Sequence, residues 1–135
     1  MLRLSLTSLR ALVLFASGLA VIQAAPGDDK PFTPVAARTK VGEKIAVEMT
    51  VQAAKDRLDK RGEIYLDSET DFRDQKNFAV VITRAGAASL KKAGVESPAE
   101  HYQGKKIRAS GTVKEVDKVP RIEIDDAKQI RIVEQ

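Results

Sequence analysis

Period-two alternation of apolar and polar residues dominates the chain after residue 41. Ile45, Val47, Met49 and Val51 alternate with Lys44, Ala46, Glu48 and Thr50, which predicts a half-buried strand over 44–53. The charged stretch 54–62 ends at Gly62 and is expected to be a loop. Ile64 and Leu66 set the inward phase of a second strand, 63–67, and turn Tyr65 outward between Glu63 and Asp67. Beyond a polar loop at 68–77, Phe78, Val80 and Ile82 mark a third strand, 78–83, with Ala79, Val81 and Thr83 on the other face. The period then changes. The alanine-rich stretch 85–93 favours helix, and Gly94 can stop it.

Ser97, Pro98 and Glu100 form a capping-box pattern with proline at the first helical position. It predicts one short turn through Tyr102, closed by Gly104. Ile107, Ala109, Gly111 and Val113 return to period two in a fourth strand, 106–116, with Gly111 marking a bend. Val119 and Pro120 are expected to turn the chain into a fifth strand from Arg121, with Ile122 and Ile124 inward. Asp125 and Asp126 break that pattern, and 130–133 is expected to resume pairing near the first strand.

The chain before this pattern differs in character. Arg3 and Arg10 precede the apolar run 11–16, and 19–22 is apolar again, which reads as a signal peptide cut after Ala24. That run is too short and too rich in small residues for a membrane span. Residues 25–40, with Pro26, Gly27, Pro31 and Pro34, read as a flexible leader. The expected organisation is therefore signal peptide 1–24, leader 25–40 and one domain over 41–135, in a periplasmic or secreted protein. With 23 basic and 19 acidic residues the whole chain carries +4; losing Arg3 and Arg10, and no acid, lowers this to +2. So modest a balance makes clustering, not net charge, decide whether a polyanion is bound. With no cysteine, disulfides, a lipid-anchored cysteine, a thiol nucleophile and a thiolate metal site are all excluded.

The chain order is β-β-β-α-β-β. Its pieces are Gly42-Glu43-Lys44-Ile45, Ile64-Tyr65-Leu66-Asp67-Ser68, Asp71-Phe72-Arg73-Asp74, Phe78-Ala79-Val80-Val81-Ile82 and Pro120-Arg121-Ile122-Glu123-Ile124. The most specific piece is Gly104-Lys105-Lys106-Ile107-Arg108-Ala109-Ser110-Gly111-Thr112-Val113. Together they resemble OB-fold domains of the tRNA-anticodon and helicase type, as in small exported bacterial proteins that carry one such domain. The resemblance implies a mainly β protein, a five-stranded Greek-key barrel with a helix between strands three and four. It implies nucleic-acid binding as the family default, although OB-folds also hold oligosaccharides, proteins and ions.

OB-folds bind across strands two and three, between the loops joining strands one to two and four to five. On this chain that points to Lys55, Arg57, Lys60 and Arg61 in the first loop, and to Lys118 and Arg121 at the second. Such cations can follow a phosphate backbone, and Tyr65 can stack a base. Val81 and Thr83 share the outward face and complete the candidate site. Asp56 and Asp59 dilute the loop's charge, and Glu63 and Asp67 would repel phosphate, so a merely solvated loop competes with this reading. The expected function is a non-enzymatic module for single-stranded nucleic acid with weak sequence preference. The alternative is an exported module that binds a protein or glycan of the cell envelope. No cofactor or metal is expected, and the chain is expected to act as a monomer without a membrane span once the signal is removed.

The remaining chemistry is thin. His101 is the only histidine, which makes neither a triad nor a zinc site. Asp117, Glu123, Asp125 and Asp126 lack an organised calcium-loop spacing. Nuclease chemistry of the staphylococcal kind needs clustered carboxylates and paired arginines, and no matching motif is present. Phe78 is expected in the core, Phe72 to plug a barrel end, with an exposed platform as the alternative, and Tyr102 to pack the barrel bottom.

Overall fold

The computed structural model describes residues 30–134. The signal-peptide reading, the cut after Ala24 and the leader before Lys30 lie outside the described residues. A short helix α1 (Pro34–Ala37) precedes strands β1 (Lys44–Thr50) and β2 (Ala53–Arg57). One helical turn α2 (Leu58–Arg61) leads into β3 (Glu63–Asp67), and a long loop joins it to β4 (Ala79–Thr83). Helices α3 (Arg84–Lys92) and α4 (Pro98–Tyr102) follow, then β5 (Lys106–Val116), β6 (Val119–Ile124) and β7 (Ile130–Glu134).

The seven strands are five with two interruptions. β1 and β2 are consecutive parts of one strand that changes partner. Val51 still bonds to the β5 side, donating to Lys105 O at 2.9 Å and accepting from Gly104 N at 2.9 Å, while Gln52 N already donates to Asp67 O at 2.9 Å. From there β2 pairs β3 antiparallel. The hydrogen-bonded path β1-β5-β6-β4-β3-β2 therefore returns to its own first strand, which closes the barrel. The β4–β6 contact is parallel and the remaining ladders are antiparallel.

The second interruption is in strand five. β6 pairs the end of β5, and β7 resumes along the start of β5 with Ile107 opposite Ile132. The expectation of pairing near strand one is thus corrected, because β7 lies against β5 and not β1. Gln129 holds the gap. Its Oε1 accepts Asp125 N at 2.8 Å and Asp126 N at 3.0 Å, and its Nε2 donates to Ser110 O and Glu123 O, each at 3.0 Å. One amide side chain replaces the backbone partners lost at the break.

The alternation read from sequence fills the barrel. Ile64, Leu66, Val80, Ile82, Ile122 and Ile124 are essentially inaccessible, joined by Phe78, Val47, Ile107 and Val113. Burying each aliphatic side chain of this size contributes about 1.5–3 kcal/mol. Phe78 and Tyr102 take the core places expected of them, at 0% and 2% exposure.

Several boundaries move. The charged run over 53–57 is strand, not loop, so Lys55 and Arg57 project from β2. The expected loop shrinks to α2, closed by Gly62 at φ +72°. The turn before strand five lies at Asp117 and Lys118, both at positive φ, and Val119 and Pro120 are already strand. Ser97 caps α4 in sequence only, since its side chain makes no capping hydrogen bond; the real capping box is Asp126 with Gln129. The stretch expected to end a flexible leader is seated on the barrel. Phe32 N donates to Ala46 O at 2.8 Å, Glu48 N donates to Phe32 O at 3.0 Å, and Ala37 is fully buried.

Candidate functional site

Successive outward residues of β2, β3, β4 and β6 form the floor of a groove. Pairing sets Lys55 opposite Tyr65, Tyr65 opposite Val81, and Asp67 opposite Ala79, with Ala79 in turn opposite Arg121. The groove has a volume of about 320 Å³. Arg57 and Arg61 stand at its α2 end, and Val116, Asp117 and Val119 of the β5–β6 hairpin line the opposite lip.

Of the residues expected to bind, Lys55, Arg57, Arg61, Tyr65, Val81 and Arg121 line this groove together. Three do not. Lys60 and Lys118 are exposed away from it. Thr83 is the N-cap of α3: its Oγ1 accepts Gly86 N at 3.1 Å and donates towards Asp125 Oδ1 at 2.7 Å. A hydroxyl that fills the first orphan positions of a helix has a structural task. Val81 lies in the floor at 0% exposure, between the Tyr65 and Glu123 positions of its neighbouring strands.

Arg121 differs most from expectation. Read from sequence as a free cation, it is 9% exposed, and its Nη2 donates to both Glu63 Oε2 and Glu123 Oε2 at 2.9 Å. Lys114 Nζ meets the other Glu123 oxygen at 3.2 Å. Glu63 in turn accepts a hydrogen bond from the Tyr65 hydroxyl. Burial, chiefly, and the Glu63 bond push the Tyr65 hydroxyl above its ordinary pKa, with Arg61 opposing. The result is an aromatic platform whose edge is pinned by an ion-paired carboxylate.

Phe72 was expected inside the barrel end and instead lines the groove at 46% exposure. The Lys55 ammonium lies 4.9 Å from its ring centroid and the Arg73 guanidinium 5.8 Å, a cation–π arrangement. Its place is set by Asn77, which is fully buried. Asn77 Nδ2 donates to Asp67 Oδ1 at 3.0 Å and to Phe72 O at 3.3 Å, while its Oδ1 accepts Glu69 N at 2.9 Å. Arg38 donates to its carbonyl oxygen. One side chain thus gathers loop 68–77 and seats Phe72 beside Lys55. Burial, chiefly, pushes the Asp67 carboxyl above its ordinary pKa, partly offset by Asn77 and Lys55.

No protein-family model matches the chain. No curated protein matches it either. Solved structures do. An OBody bound to hen egg-white lysozyme superposes with a TM-score of 0.54 at 16% identity, over 84% of this chain and all of that one. The chain carries an OB fold. A putative aspartyl-tRNA synthetase from Leishmania major Friedlin matches at TM-score 0.51 and 10% identity, over 80% of this chain. This OB barrel spans about a fifth of that synthetase, 21% of its length. At such identities the likeness is one of fold.

Proposed function

We propose that this OB barrel is a non-enzymatic binding module for single-stranded nucleic acid, carried by an exported protein. One observation carries the reading: Tyr65 lies on the groove floor with Lys55 across the ladder and with Arg57 and Arg61 at the groove's α2 end. An aromatic face takes any base, and cations beside it follow the backbone. Phe72 supplies a second face at one end. The test is fluorescence anisotropy of a labelled mixed-sequence single-stranded DNA at low and physiological salt. The reading expects affinity to fall log-linearly with salt. Absence of binding at low salt would set it aside.

A second reading is a protein- or glycan-binding face of the cell envelope. It draws on the tie of Arg121 to two carboxylates and on Asp117 at the lip, which leave the groove nearly balanced in charge. An OB barrel of similar fold is also seen bound to a protein, lysozyme. Binding to an envelope protein or glycan that persists at high salt, with none to oligonucleotide, would select it.

A further inference from the structure

The charges around the groove are not symmetrical. Lys55 and Arg57 on β2, with Arg61 on α2, make one basic wall. The floor beyond it is Tyr65, Ala79 and Val81, then Val119, with the carboxyl groups of Glu63 and Asp67 on either side of Tyr65 along β3. The opposite lip carries Asp117, and the adjacent Lys118 does not line the groove. Arg121, the lining cation on β6, is held by Glu63 and Glu123 at 2.9 Å each. A polyanion laid from the basic wall across the floor would bring its next phosphates towards Asp117. Nothing on that side is free to neutralise them among the lining residues. The volume agrees. About 320 Å³ is at the lower end of the ~300–1,000 Å³ of small-molecule sites.

We infer that the groove holds one nucleotide unit, with its base on Tyr65 and its phosphate on the Lys55–Arg57–Arg61 wall. This rests on the nucleic-acid reading and narrows it: the ligand is a phosphorylated strand end or a free nucleotide, not the interior of a long strand. The Tyr65 face receives the ring, the basic wall receives one phosphate, and the floor carboxyl groups and the Asp117 lip turn a continuing backbone away.

The test is calorimetric titration of the full chain with dTMP and with thymidine oligomers of increasing length, each with and without a 5′-phosphate. Affinity should change by less than about threefold from dimer to octamer, while loss of the terminal phosphate weakens the dimer about tenfold. If dTMP binds as well as the phosphorylated dimer, the source is free nucleotide; if only the oligomers bind, it is a strand end. Asp117→Asn keeps a residue tolerant of positive φ and removes the lip's charge. In that variant octamer affinity should rise and dimer affinity stay the same. Wild-type affinity that climbs tenfold or more with length, or an Asp117→Asn variant with unchanged length dependence, would overturn the one-unit site while leaving the nucleic-acid reading standing. No binding at any length would sink both.

Discussion

A Cβ added to Gly86 would lie 1.9 Å from the carbonyl oxygen of Ile124. The first turn of α3 therefore rests directly on the end of β6, and only glycine allows that approach. In an exposed helix alanine would be better than glycine by about 1 kcal/mol. Here the order reverses: Gly86→Ala should destabilise the fold by about 1–3 kcal/mol, the range of an overpacked core. Urea unfolding measures it, and a neutral or stabilising result would mean α3 can lift off without cost.

Asn77 closes loop 68–77 through partners on both sides of it. Asn77→Ala leaves the Glu69 amide and the Asp67 carboxylate without their bonds, a loss of about 2–4 kcal/mol for buried groups. Phe72 should lose its fixed place at the same time. Hydrogen exchange would then show the loop amides opening well before the barrel, whereas uniform exchange would contradict the clasp.

Arg57 and Arg61 should behave differently from Arg121. Removing the first two together lowers the salt slope of oligonucleotide binding by about 0.7, the value for one phosphate on a single strand. Arg121→Ala takes their shared guanidinium from Glu63 and Glu123, leaving Glu63 with the Tyr65 hydroxyl and Glu123 with Lys114, and costs about 3 kcal/mol of stability, with the slope unchanged. Anisotropy over a salt series, paired with chemical denaturation, separates the two roles. A lowered slope in Arg121→Ala would return it to the phosphate-binding set.

Asp67 should make stability depend on pH. Its carboxyl holds its proton more tightly in the folded chain than in the unfolded one, because burial disfavours the charge. A raised carboxyl pKa means stability is lost as pH rises from the ordinary carboxylate value through the folded one. Asp67→Asn keeps an oxygen for Asn77 Nδ2 and removes that loss. It should melt close to wild type near pH 4 and above it at pH 7. A wild type that melts higher at pH 7 would count against the burial account.

The barrel was legible where one face of a strand packs and the other does not. Val47 and Met49, Ile64 and Leu66, and Val80 and Ile82 alternate because they fill the core. β2 was not legible, because only Ala54 of its five residues packs against that core, and its last three, Lys55, Asp56 and Arg57, are charged. The edge of β2 is instead covered by Gln103, whose Oε1 accepts Ala54 N at 2.9 Å and whose Nε2 donates to Gln52 O at 3.1 Å. The loop between strands four and five was legible, but its turn falls at Asp117 and Lys118 and not at Val119 and Pro120, since neither Asp117 nor Lys118 is the glycine or asparagine that usually signals positive φ. In the groove, Tyr65 followed from strand phase, and Lys55, Arg57 and Arg61 from the place of their expected loop beside it. The capture of Arg121 by Glu63 did not, since the two are 58 positions apart. Phe72 gave no periodic signal at all, because a distant-looking asparagine, not a strand, places it.

The change of partner at Val51 and Gln52 has a consequence for how the protein is made. β1 finds its ladder only in β5, with Thr50 opposite Lys106 and Lys44 opposite Thr112. Ile45, Val47 and Met49 therefore wait for that ladder, with the Phe32 bridge to Val47 as their local partner, until more than half of the described residues have followed them. Barrels closed by such sequence-distant pairing fold slowly, in about milliseconds to seconds. During synthesis the first strand thus stays without its ladder until β5 has been made, and it is the segment a holding chaperone would meet.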